Sequence, residues 1–110
     1  MLRQRSLVPD PEKVLDLRTT ADSLAQYLLS ELRHLEDALR SPGQMQQVYD
    51  TVYLPRVTAL ADELKILGIC DFEVLRTPLC SDLAVTQIRI VLEFLFTIVV
   101  LLNHRLALMP

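Results

Sequence analysis

The stretch SDLAVTQIRIVLEFLFTIVVLLNHRLAL, Ser81 to Leu108, decides the fold class. Between Leu83 and Leu102 only Thr86, Gln87, Arg89, Glu93 and Thr97 are not apolar. Thr86, Arg89, Glu93 and Thr97 follow at steps of three, four and four, and His104 continues the line two turns on. A helix gathers them into one narrow polar stripe. A strand is the rival reading, because Ile88, Ile90, Leu92, Phe94, Phe96 and Ile98 also alternate with polar neighbours. Context decides for the helix: the chain has no second segment of comparable β character, and a lone strand cannot satisfy its own backbone. The helix is expected over about Leu83 to Leu108, roughly 40 Å long, with Ser81 or Asp82 as its cap.

A surface helix in a small bundle hides a stripe somewhat over 100° wide, whereas this one is apolar around roughly two thirds of its perimeter. Two companion helices cover part of that surface, and the remainder exceeds what a monomer normally exposes. The excess points to self-association or to a partner protein. Membrane insertion competes for the same residues, but a span needs about 20 apolar residues and Glu93 divides the run. A peripheral or anchored association stays open as the alternative, with Arg89 and Arg105 snorkelling to the interfaces and Glu93 pairing with Arg89.

Working towards the N-terminus, Met1 to Pro9 carries no sustained periodicity and reads as a flexible lead-in to a single domain over residues 10–110. It also lacks the apolar core of a signal peptide. Asp10 is placed to cap a helix whose first residue is Pro11. Val14, Leu17, Ala21, Leu24, Leu28, Leu32, Leu35 and Leu39 recur at steps of three or four, mostly four, and define its core-facing stripe. Thr19 with Asp22 matches a capping box that could restart the helix. Arg18 with Asp22, Arg33 with Asp37, and Glu36 with Arg40 stand four apart, the spacing of intrahelical ion pairs. Ser41-Pro42-Gly43 is read as the turn that reverses the chain.

The second helical pattern runs through Met45, Val48, Val52, Leu60, Leu64 and Leu67 and stops at Gly68 in a C′ position. Pro55 removes one N–H and crowds the carbonyl four residues back, which predicts a kink or two stacked helices. Ile69 to Cys80 is a connector with room for a single helical turn. The expected fold is therefore all-α, a small antiparallel bundle of three main helices, the second kinked at Pro55, completed by oligomerisation.

Residues with chemistry are sparse. The chain holds 110 residues with a formal charge of −3, and no run of four cations occurs, which argues against a nucleic-acid footprint. Glu31-Leu32-Arg33-His34 is one Glu-x-x-His, but di-iron bundles use that motif twice with two further inward Glu residues. It reads as a chance surface pair, and Glu31, Glu36, Asp37, Asp62, Glu63, Asp71 and Glu73 read as solvated acids. His104 suits the negative end of its helix. Cys70 and Cys80 are expected to be buried, reduced thiols without zinc-site spacing. Tyr27, Tyr49 and Tyr53 are placed near helix surfaces. Phosphate-loop, dinucleotide, nucleophile-elbow and zincin motifs are absent from the sequence, so no catalytic, cofactor or metal residues are assigned.

The expected function is a protein–protein interaction module, an intracellular, cytoplasmic homodimer, adaptor or subunit of a larger assembly. The contact residues are Arg89, Ile90, Glu93, Phe94, Ile98, Leu101 and Leu102, with the Arg89–Glu93 pair setting register. A membrane-associated helical protein is the alternative. A small ligand-binding protein or enzyme with an apolar pocket under the third helix is the second. The apolar ending Leu-Ala-Leu-Met-Pro also suits a fragment whose missing remainder covers the third helix.

Overall fold

A computed structural model describes residues 10–69 and 71–109. The lead-in Met1 to Pro9 and the Cys70 thiol lie outside the described residues. Helix α1 spans Pro11–Glu36, α2 Pro42–Val48, α3 Leu54–Ile66 and α4 Ala84–Ala107, and no strand occurs among the described residues. A π turn at Tyr49–Tyr53 joins α2 to α3 without a break, so the architecture is three long helical rods, the second one bent.

Helix α1 starts as its sequence requires. The Asp10 carboxylate accepts from the Glu12 N–H at 3.0 Å and Pro11 occupies the first turn. It runs unbroken through Thr19 and Asp22, because Leu17, Ala21 and Leu24 are all buried in the one core. The helix ends on a left-handed residue, Ala38 with φ 58°. Leu39 N–H then bonds back to His34 C=O and Ala38 N–H to Leu35 C=O, the Schellman pattern with alanine in the place that glycine usually takes. The chain therefore reverses at Asp37–Arg40, earlier than expected. Ser41-Pro42-Gly43 opens α2 instead: Ser41 Oγ accepts from Gln44 N–H and the Gln44 side chain accepts from Ser41 N–H.

The bend comes where Pro55 demands it. With the proline N–H missing, Leu54 N–H reaches back five residues to Tyr49 C=O, and the widened turn makes room for the ring. Helix α3 closes on Gly68 at φ 70°, with Ile69 N–H bonded to Leu64 C=O and Gly68 N–H to Lys65 C=O. The connector is held to α3 by Arg76, which pairs with Asp62 at 2.7 Å and Asp71 at 3.0 Å. The Arg76 hydrogen bond keeps the Asp71 carboxyl below the usual carboxylate range.

Helices α1 and α4 form the main antiparallel pair. Arg18 of α1 donates to Asn103 near the end of α4, and Arg89 near its start donates to Glu36 at the end of α1. Helix α3 packs more lightly on α1, with Lys13 and Glu63 paired at 3.0 Å across the seam. Val14, Ala21 and Leu28 of α1, Val57 and Leu64 of α3, and Ile88, Leu95, Ile98 and Leu102 of α4 form the dry centre. Of the four-apart pairs expected on α1 none is an ion pair: Arg18 and Glu36 turn to α4, and Arg40 turns to Glu31.

Candidate functional site

Helix α4 is the element on which sequence reasoning placed the site. Its start differs from expectation, because Ser81–Leu83 forms a 3-10 turn and no side chain caps the helix. The Gln87 side chain anchors it instead, accepting from Cys80 N–H at 2.9 Å and donating to Pro78 C=O at 2.7 Å. Cys80 itself is exposed, a correction to its expected burial.

The seven expected contact residues divide. Ile98 and Leu102 are fully buried in the chain's own core, since they share the face of Ile88, Val91 and Leu95 that packs on α1. They are unavailable to a partner. Ile90 and Leu101 are each 39% exposed, and Phe94 is half-buried, its ring 4.5 Å from that of Phe72 in the connector. Arg89 is committed to Glu36 across the helix pair at 2.5 Å, so it does not pair with Glu93. Glu93 is exposed rather than enclosed by apolar neighbours.

What remains open on α4 has a definite layout. The polar stripe of Thr86, Arg89, Glu93, Thr97 and His104 faces outward. Val100, 65% exposed, interrupts the stripe between Arg89 and Glu93, and Phe96, 41% exposed, lies on one side of it. On the other side Leu83, Ile90, Phe94, Leu101 and Leu108 fall within about 40° of one another at 100° per residue, an apolar line along the whole helix. Leu83 and Leu108, its two ends, are 58% and 72% exposed. The recurring seven-residue step is that of helices that pair lengthwise. Beside Leu83 the connector and α4 flank a shallow, open cleft of about 410 Å³, lined by Val74, Pro78, Leu83, Gln87 and Ile90 among others.

A second feature was missed by the sequence reading. Glu31 is buried, not solvated, and its Oε1 lies 3.1 Å from His34 Nδ1 and accepts from Arg40 Nη2 at 3.3 Å. The reversal at Ala38 brings Arg40 back over the end of α1. The other carboxylate oxygen, Arg40 Nε and the Tyr49 hydroxyl are buried without a hydrogen-bond partner among the described residues. Burial, reinforced by Glu31, raises the Tyr53 hydroxyl above its ordinary range. A signal was present: Glu31 follows Leu24 by seven and Leu28 by three, which sets it on the apolar stripe. Among the described residues no three His, Cys, Asp or Glu side chains converge as a metal site. Glu31 and Arg40 serve as an internal clasp on the turn.

A further cleft of about 480 Å³ opens between α1 and α3, with Leu17, Leu24 and Leu60 as floor and Lys13, Tyr27, Arg56 and Glu63 on its rim. It lies on the α3 side of α1, away from the position under the third helix expected for an apolar pocket. No protein-family model, curated protein or solved structure matches the chain.

Proposed function

We propose that the protein is a self-associating helical module, a homodimer inside the cell that serves as an adaptor or assembly subunit through the exposed flank of α4. The observation that carries this reading is the apolar line Leu83, Ile90, Phe94, Leu101 and Leu108, four of whose members are at least 39% exposed. Monomers rarely leave such a continuous strip to water, and a strip with a seven-residue step fits another helix. Phe96 beyond the polar stripe, with Val100 within it, offers a shorter contact for an additional subunit.

Sedimentation equilibrium in plain buffer at micromolar concentration tests the reading. The wild type is expected at twice the 12.6 kDa chain mass, and Leu101→Asp at the chain mass with unchanged helical circular dichroism. A wild-type monomer across that range overturns it. A second reading has its own support, since Ser81–Ala107 is long and apolar enough to cross a membrane. Against a span stand Arg89, Glu93 and Arg105 within it and the Arg89–Glu36 bond to a helix with a polar outer face. Partition into a detergent phase, with loss of solubility on detergent removal, would favour the membrane.

A further inference from the structure

The apolar line on α4 has an internal symmetry. Reversed and laid against itself, it sets Leu83 opposite Leu108, Ile90 opposite Leu101 and Phe94 opposite Thr97, every pair adding to the same register. The five apolar positions share one flank, Thr97 lies at the edge of the polar stripe beside it, and none of the six is fully buried. Gln87 and His104 also fall opposite each other, on the rim of the line. A surface that matches its own reverse is what a two-fold contact between identical chains requires.

The two ends of the line differ in shape, and the difference is complementary. At the Leu108 end a leucine projects, 72% exposed, just past the last turn of α4. At the Leu83 end lies the 410 Å³ cleft between the connector and α4, its walls formed by Val74, Pro78, Leu83 and Ile90. Antiparallel pairing brings each projecting leucine to the other copy's cleft, twice per dimer. Parallel pairing sets cleft beside cleft and leucine beside leucine.

Charge and size agree. Parallel helices would crowd His104 and Arg105 of both copies at one end and align the two helix dipoles, whereas antiparallel helices oppose the dipoles and separate the cations. The exposed parts of the line amount to roughly 400 Å² per copy, about 800 Å² across the pair, and the cleft walls at Val74 and Pro78 must add to this to reach the ~1,000 Å² of a specific interface.

We infer that α4 pairs antiparallel with α4 of a second copy about a two-fold axis between Phe94 and Thr97, seating Leu108 of each copy in the cleft beside Leu83 of the other. This rests on the self-association proposed above and adds its register, direction and anchor. The full chain is tested with photoreactive benzoylphenylalanine in place of Leu108, an exposed position that tolerates the ring. Mixing ¹⁴N and ¹⁵N chains before illumination identifies intermolecular adducts by mass.

Adducts from position 108 to residues 74–90 of the other chain are the expected result. Adducts to residues 101–109 of the other chain would mean parallel pairing and would overturn the inference while leaving self-association intact. A dimer mass without intermolecular adducts from 108 or from a second probe at Ile90 moves the contact to another surface and equally overturns it. A monomer in sedimentation removes both. As a quantitative check, Leu108→Ala withdraws both anchors of the dimer and is expected to raise its Kd by roughly tenfold or more. An unchanged Kd would contradict the seating of Leu108.

Discussion

Tyr49 is fully buried on the π turn, and its hydroxyl has no hydrogen-bond partner among the described residues. Burial first, and Asp50 beside it second, push the hydroxyl up to about 12 from its ordinary 10. Below pH 10 the group is neutral in folded and unfolded chains alike, so it adds no pH dependence there. Between pH 10 and about 12 only the unfolded chain loses the proton, and stability falls by about 1.4 kcal/mol per pH unit on this account. Tyr49→Phe removes both the unpaired hydroxyl and its share of the slope. Urea unfolding is expected to show the variant about 1 kcal/mol more stable at pH 7, with a smaller loss from pH 10 to 11 than the wild type. Ala38 offers a second residue-level test. Its φ of 58° is strained for a residue with a Cβ, and Ala38→Gly relieves that strain at the cost of a freer unfolded chain. A net gain of about 0.5–1 kcal/mol in unfolding free energy, seen as a raised urea midpoint, is expected.

At the scale of elements, the turn between α1 and α2 holds its shape through Glu31 and Arg40, nine residues apart and joined at 3.3 Å. Removing the cation strands a buried carboxylate, so Arg40→Ala is expected to cost about 3 kcal/mol in urea unfolding. Adding Glu31→Gln should recover much of that loss, and simple additivity of the two effects would show that the clasp does not act as a unit. The elements themselves were largely legible. Asp10-Pro11, Pro55 and Gly68 each act through the backbone of their own neighbourhood, and each marks the start, bend or end it was read to mark. Ser41-Pro42-Gly43 was misread because residues that favour turns also favour the first turn of a helix. The actual reversal depends on Ala38, which has no local signature. Arg89 was misassigned for a related reason: spacing within one helix proposes Glu93, while the partner it takes, Glu36, lies 53 residues away. Such a pairing exists only after the bundle forms.

The whole molecule is a thin rod of 55 × 21 × 16 Å, about two helix layers deep, so each helix keeps a face towards solvent. For α1 and α3 that face is mostly polar, with Leu15, Tyr27 and Ile66 as the exposed exceptions, whereas on α4 the polar stripe marks the outward side but is too narrow to show how far the core face extends around the helix. Ile98 and Leu102 were therefore grouped with Ile90 and Leu101 as one contact surface. Packing against α1 separates them, burying the first two completely and leaving the others 39% exposed. This partition gives opposite outcomes for the same substitution one turn apart. Ile98→Asp places a charge in the dry centre, a cost of several kcal/mol, and is expected to abolish the cooperative thermal transition. Leu101→Asp sets the charge on the outer flank and should retain the transition. Because a dimer is stabilised by mass action, the wild-type Tm should rise with protein concentration, whereas that of Leu101→Asp should not. Circular dichroism melts over a hundredfold range of concentration read both effects together. A folded Ile98→Asp beside an unfolded Leu101→Asp would mean that α4 is rotated about its axis from the orientation described, and that the outward line is composed of other residues.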